Sequence, residues 1–240
     1  MLTDDEILQM LKDEVQPKLE GFHLSEVRFY GAGCRDAQVV RVTKLLQQTF
    51  LHAKIVVASD LFGAAMSLCG KSPGIACILG TGSNSCLYDG SDIIANTPAL
   101  GYILGDEGSG AVLGRRLLAD LLKGQLSSHI TELFHNEYGE TTADVIHKVY
   151  RSPFPNRYLA SFAPFLKRYE ASPEIREILE SEFVRFLQRN IHPYGRKDLP
   201  VHFVGGVAYH FQEILVSCVT GQGYKVGNIL QAPFDAIQNL

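Results

Sequence analysis

The sequence predicts an α/β protein, and three observations carry that expectation. Short apolar or β-branched runs alternate with segments whose apolar residues recur at helical spacing. Most of these runs stop at a turn that carries glycine or aspartate. Over 240 residues, a hydrophobic content of 46% is enough to bury a sizeable core in one domain or two modest lobes.

Thr3-Asp4-Asp5-Glu6 reads as a capping box, in which the Thr3 hydroxyl and the Glu6 carboxylate satisfy each other's backbone donors. It predicts a helix over 4–16 with Ile7, Leu8, Leu11 and Val15 on one face, ended or kinked by Pro17. Val27-Arg28-Phe29-Tyr30 is a short strand that meets Gly31-Ala32-Gly33-Cys34, and Val39, Val40, Thr43, Leu45 and Leu46 mark the next helix. The pattern repeats: Lys54-Ile55-Val56-Val57-Ala58 is a strand that stops at Ser59-Asp60, where a helix begins. Residues 75–79 and 85–88 form a strand pair around Gly80-Thr81-Gly82-Ser83-Asn84, with Asp89-Gly90 as the following turn. Helices follow over about 111–123, 141–150 and 174–191, with Pro153-Phe154-Pro155 as a rigid turn between them. Val201-His202-Phe203-Val204 is then a strand leading into Gly205-Gly206, 211–216 a helix, and Tyr224-Lys225-Val226 the last strand.

A formal net charge of -4 without a basic block argues against a nucleic-acid surface, because phosphate-backbone binding needs clustered Lys and Arg. Small molecules are the expected partners. The start, Met1-Leu2-Thr3-Asp4-Asp5-Glu6, is acidic where a signal peptide is basic and then apolar, and no apolar run approaches a membrane span, so the expected location is cytoplasmic. Cys34, Cys69, Cys77, Cys86 and Cys218 form no C-x-x-C pair and read as buried free thiols. The histidines show no ligand-like spacing, and no metal site is assigned.

Four places carry candidate chemistry. Gly80-Thr81-Gly82-Ser83-Asn84-Ser85 leaves a strand with two glycines and three hydroxyls, a tight turn or a cradle for phosphate or sugar. Gly105-Asp106-Glu107-Gly108-Ser109-Gly110 opens a helix. Its carboxylates are either an acidic first turn facing the helix dipole or acceptors for sugar hydroxyls beside backbone that approaches a ligand. Asp60, where a strand hands over to a helix, is a helix cap or a general base. Gly205-Gly206 reads as close strand–helix packing or as flat backbone under a nucleotide.

Together, 75–88, 101–113, 56–68 and 201–214 resemble the N-acetylglucosamine kinase-like ATPases of the sugar kinase, chaperone and actin superfamily. The resemblance is most specific in Leu79-Gly80-Thr81-Gly82-Ser83-Asn84 and Gly105-Asp106-Glu107-Gly108-Ser109. It implies a ribonuclease H-like (actin-like ATPase) fold, with 1–70 the remainder of an N-terminal lobe and 71–240 a C-terminal lobe with a helical insertion. It implies an ATP-dependent kinase that phosphorylates a hydroxyl of an amino sugar, N-acetylglucosamine foremost, with Mg²⁺ and a possible homodimer. Asp60 is then the base; Thr81, Gly82, Gly205 and Gly206 serve ATP; Gly82, Ser83, Asn84 and Asp106 hold the sugar. The family's first strand and Asp-x-Gly-x-Thr phosphate loop do not stand before the first helix here, which implies an incomplete first lobe. Two other functions fit parts of this pattern. One is an ATPase that activates a reductase or dehydratase through an iron–sulfur cluster bridging two subunits. The other is a non-catalytic sugar-binding remnant that keeps Asn84 and Asp106.

Overall fold

The computed structural model describes residues 3–233, which fall into two compact units that divide between Gly63 and Ala64. The first unit is a βαβ element. Strand β1 (Glu26–Gly31) pairs in parallel with β2 (Lys54–Ser59), from Glu26 opposite Lys54 to Gly31 opposite Ser59. The helix Ala37–Thr49, marked in the sequence by its apolar residues, connects them; it buries Leu45 and Leu46 and leaves Val40 exposed. Ahead of β1, the capping box forms: the Glu6 N–H donates to Thr3 Oγ1 at 3.3 Å and the Thr3 N–H to Glu6 Oε2 at 2.7 Å.

The first helix does not simply stop at Pro17. Its α-helical part, Asp4–Met10, widens into a π turn over Leu11–Val15, and Pro17 lies inside a 3-10 turn, Gln16–Leu19. Proline brings no N–H for the carbonyl four residues back and its ring crowds that carbonyl. The hydrogen-bond ladder therefore yields just upstream, where the Gln16 N–H donates to the Leu11 carbonyl five residues away.

The second unit holds a five-stranded sheet in the order β5-β4-β3-β6-β7, with β3 Gly74–Leu79, β4 Ser83–Tyr88, β5 Ile93–Ala95, β6 Pro200–Val204 and β7 Lys225–Leu230. The strand pair around the glycine loop is an antiparallel hairpin, β3 with β4, while β6 adds to β3 and β7 to β6 in parallel. Alternation sends Ile75, Cys77 and Leu79 of β3 and Val201 and Phe203 of β6 to one face. They join a cluster with Leu113 and Leu117 of the helix Gly110–Leu122, Phe183 and Phe186 of the helix Pro173–Phe186, and Leu215 of the helix Gln212–Gly221. The thiols are free, and burial pushes those of Cys69 and Cys86 up to about 12.

Several elements escape the sequence reading. Strand β5 is three residues long and pairs irregularly with β4, too little pattern to register. The helix Ser128–Tyr138 carried readable signals, a Ser127 cap, Ile130 and Phe134 on one face, and Gly139 left-handed at its end. Pro155–Ala160 and Ala163–Arg168 are single short helices started by prolines.

Where β6 meets β7 the register slips, Val201 facing Val226 but Phe203 facing Ile229, so β7 carries one extra residue. His202 fills this bulge. A Cβ on Gly227 would lie 2.4 Å from its Nδ1, and that nitrogen accepts the Asn228 N–H at 2.9 Å. Burial pushes the imidazole below its ordinary 6.5. The folded protein therefore keeps His202 neutral while the unfolded chain takes up a proton below 6.5. The contribution is present above that pH and is lost as pH falls through the lower folded value, with a slope of at most about 1.4 kcal/mol per pH unit. Urea unfolding at a series of pH values is expected to show this acid-side loss. His202→Phe should flatten it and lower stability above pH 6.5 by about 1–3 kcal/mol, because the Asn228 N–H loses its partner.

Candidate functional site

The β3–β4 turn is closed by the Gly80 N–H donating to the Gly82 carbonyl at 3.0 Å. The helix Gly110–Leu122 starts directly against it. Its first two N–H groups, on Gly110 and Ala111, donate to the carbonyls of Gly80 at 2.8 Å and Thr81 at 3.1 Å. The third, on Val112, donates to Ser109 Oγ at 3.3 Å. A helix start normally leaves such donors for water or an anion, but here the protein takes them. Among the described residues no hydrogen bond uses the N–H of Thr81 or Gly82, and these are the donors the turn has left.

Gly205, at the exit of β6, has φ +123°, and a Cβ there would lie 2.3 Å from the Leu79 carbonyl oxygen. Only glycine lets β6 hand over to the next helix this close to β3. Gly206 is different: it is exposed and a Cβ would meet nothing within 4 Å. It borders a cavity of about 710 Å³, where Gly80, Thr81 and Gly110 meet the largely apolar wall of Ala160, Ala163, Pro164, Val207 and Phe211. Lys167, Arg168 and His210 complete the lining.

The same turn touches a polar group. Asp106 Oδ2 lies 2.9 Å from where a Cβ on Gly82 would be, so any side chain there displaces the carboxylate. Asp106 is half-buried with φ +54°. Burial raises its carboxyl above the ordinary 3.8 and the neighbouring Glu107 adds to this, while the backbone N–H groups of Ser83 and Gly101 favour the charged form. Ser83 itself is buried at the start of β4. Asn84 Oδ1 accepts from the Ser85 N–H at 2.9 Å and from Asn96 Nδ2 at 3.1 Å. That leaves the Asn84 Nδ2 donors without a hydrogen bond among the described residues.

The structure overturns two expectations from the sequence. Asp106 and Glu107 do not form an acidic first turn, because the helix begins at Gly110 with Ser109 as its cap. Glu107 is buried, pairs with Arg189 and accepts from Asn190 Nδ2 at 3.2 Å. Nor is Asp60 the cap of its helix, Asp60–Cys69: Ser59 Oγ accepts the Phe62 N–H at 3.2 Å, the bond a cap makes. Asp60 Oδ1 accepts only from its neighbour, the Leu61 N–H, at 2.9 Å among the described residues. It stands at the carboxyl end of β2 in the first unit; the Cys34 thiol is pushed up by its own burial first and by the Asp60 charge second.

The second unit therefore brings together Thr81, Gly82, Ser83, Asn84, Asp106, Gly205 and Gly206, and the first unit holds Asp60. Sequence reasoning missed the cavity wall from the two short helices, whose sequences are too brief for periodicity. It also missed Asn96 and Asn190. Asn190 had a signal, a polar residue on the apolar stripe that runs through Phe183, Phe186, Leu187 and Ile191. Among the described residues no group of three or more His, Cys, Asp or Glu could hold a metal ion, and no helix is long and apolar enough to cross a membrane.

No protein-family model matches the chain, and no curated protein matches it. Solved structures do. A Porphyromonas gingivalis protein described as a "putative N-acetylglucosamine kinase" is 47% identical over 99% of this chain and 85% of its own, with a TM-score of 0.97. A Chromobacterium violaceum protein with the same description is 21% identical, covers 93% of this chain and 79% of its own, and superposes with a TM-score of 0.66. A ROK family glucokinase from Streptomyces griseus, solved with glucose and AMPPNP, is 15% identical over 97% of this chain and 84% of its own, with a TM-score of 0.58. The last two show the shared fold, that of the actin-like ATPases.

The two adjacent glycines give a paired test. Gly205→Ala combines a disfavoured backbone with overlap of a fixed carbonyl and is expected to cost about 3 kcal/mol or more. Gly206→Ala points into open space and is expected to stay within about 0.5 kcal/mol of the parent. Chemical denaturation of both variants checks this.

Proposed function

The chain belongs to the N-acetylglucosamine kinase-like ATPase family, and from that premise we propose an ATP-dependent kinase that phosphorylates a hydroxyl of an amino sugar, N-acetylglucosamine foremost. The observation that carries this reading is that one three-residue turn has two different neighbours. Gly80 and Thr81 border the cavity, while Gly82 lies against Asp106.

The cavity suits a nucleoside. Its apolar wall and the bare backbone of Gly206 offer a flat surface for a base, and its volume falls within the usual range for small-molecule sites. ATP, when bound, supplies the γ-phosphoryl group. The N–H groups of Thr81 and Gly82, without a hydrogen bond among the described residues, and the Thr81 hydroxyl support a role in holding the phosphates. Mg²⁺ would be carried by the nucleotide phosphates and would offset charge on the transferred group.

On the sugar side, Asp106 accepts and Asn84 Nδ2 donates, a pair that fixes the orientation of adjacent hydroxyl or acetamido groups. Asp60 takes the proton of the attacking hydroxyl. Its carboxylate is spared capping duty by Ser59, so its chemistry is separable from helix stability.

Three expected outcomes test the reading. Asp60→Asn should lower kcat by about 10²-fold or more with sugar affinity and melting temperature near those of the parent. If turnover persists near the parent rate, Asp60 is not the base. Asp106→Ala should weaken N-acetylglucosamine binding by about tenfold or more in calorimetry and leave ATP binding unchanged. Equal loss of both ligands would make Asp106 a structural residue of its turn. Because the Asp106 carboxyl lies above 3.8, sugar affinity should fall on acidification at a pH above that value, the protonated acid accepting more weakly than the carboxylate.

A further inference from the structure

We infer that Asn190 is a positioning residue that holds the loop bearing Asp106 and the strand bearing Asn84 in one arrangement. The inference rests on the sugar-site reading above. Asn190 is buried, 8% exposed, and works in two directions. Its side-chain Nδ2 donates to Glu107 Oε2 at 3.2 Å and to the Phe186 carbonyl at 3.3 Å. Its backbone carbonyl accepts from Ser85 Oγ at 3.2 Å and Thr97 Oγ1 at 3.0 Å. Glu107 and Ser85 are the immediate neighbours of Asp106 and Asn84.

The helix changes form at this point. After Phe186 it widens into a π turn, Leu187–Ile191, and then tightens into a 3-10 turn, His192–Tyr194. Such changes often accompany functional sites. The Tyr194 hydroxyl continues the same network, lying 2.8 Å from Ser85 Oγ and accepting the Thr97 N–H at 3.0 Å. Arg189 pairs with Glu107 from the exposed side, so the buried carboxylate is held by a charge and by the Asn190 amide. A network of buried, mutually satisfied polar groups fixes relative positions more tightly than apolar packing does. Asp106 and Asn84 therefore reach a ligand from two chain segments whose spacing Asn190 sets.

The direct test reverses one hydrogen bond. Asn190→Asp places a carboxylate against Glu107 and the Phe186 carbonyl, and the double variant Glu107→Gln with Asn190→Asp restores the donor–acceptor pair between positions 107 and 190 with opposite polarity. Hydrogen exchange at the Ser83 and Gly101 amides, which face the Asp106 carboxylate, should speed up in Asn190→Asp by about tenfold or more and return toward the parent rate in the double variant. In steady-state kinetics the sugar KM should rise by about tenfold or more while the ATP KM stays within about twofold, again with recovery in the double variant. If the aspartate variant does not fold, Asn190→Leu removes the donor without adding charge and is read the same way. Unchanged exchange at Ser83 and Gly101, or equal rises in both KM values without recovery, overturns the inference. Exchange that responds as stated in a protein that binds no sugar supports the positioning role and sinks the sugar reading instead.

Discussion

The structure of the second unit depends on two hydrogen bonds, those from the Gly110 and Ala111 N–H groups to the Gly80 and Thr81 carbonyls. They attach the start of a thirteen-residue helix to the tip of the central hairpin. An unpaired backbone donor at a buried helix start costs about 1–3 kcal/mol, and this junction satisfies two such donors while fixing the turn's shape. With those carbonyls turned toward the helix, the N–H groups of Thr81 and Gly82 are left without a hydrogen bond among the described residues. Gly205 closes the junction from the other side, lying against the Leu79 carbonyl one residue before the turn. Hairpin, helix start and second glycine pair thus meet within a few ångströms, and the cavity opens beside them.

Adjacent polar residues in this chain have unlike roles, and backbone geometry separates them. Ser59 and Asp60 follow one another, yet the serine caps the helix and the aspartate is left with a single local bond among the described residues. Asp106 and Glu107 are both carboxylates in a glycine-rich turn, yet one faces the hairpin tip while the other is buried against Arg189 and Asn190. In each pair, one member supports the backbone that presents the other.

Much of this was legible in the chain before any coordinates. The capping box at Thr3, the strands ending at Ser59, Leu79 and Val204, and the glycines at 80, 82 and 205 follow from local rules that tertiary contacts did not override. The bulge at His202 was not legible, because register depends on which strand lies alongside, and β7 is distant in sequence. The same holds for Glu107, whose partners lie more than eighty residues away, and for the cavity wall on short helices started by proline. Asn190 lies between these cases. Its place on an apolar stripe marked it as unusual, but its partners required the fold.

A crystal structure with AMPPNP and N-acetylglucosamine bound tests the central claim most directly. The purine is expected over Gly206 against the wall of Ala160, Ala163 and Pro164, phosphate oxygens on the Thr81 and Gly82 N–H groups, and sugar oxygens on Asp106 and Asn84 Nδ2, with the bonds from Gly110 and Ala111 to the hairpin intact. A phosphate held instead by the Gly110 and Ala111 N–H groups, with the Gly80 and Thr81 carbonyls displaced, or a sugar bound away from Asp106, would contradict it.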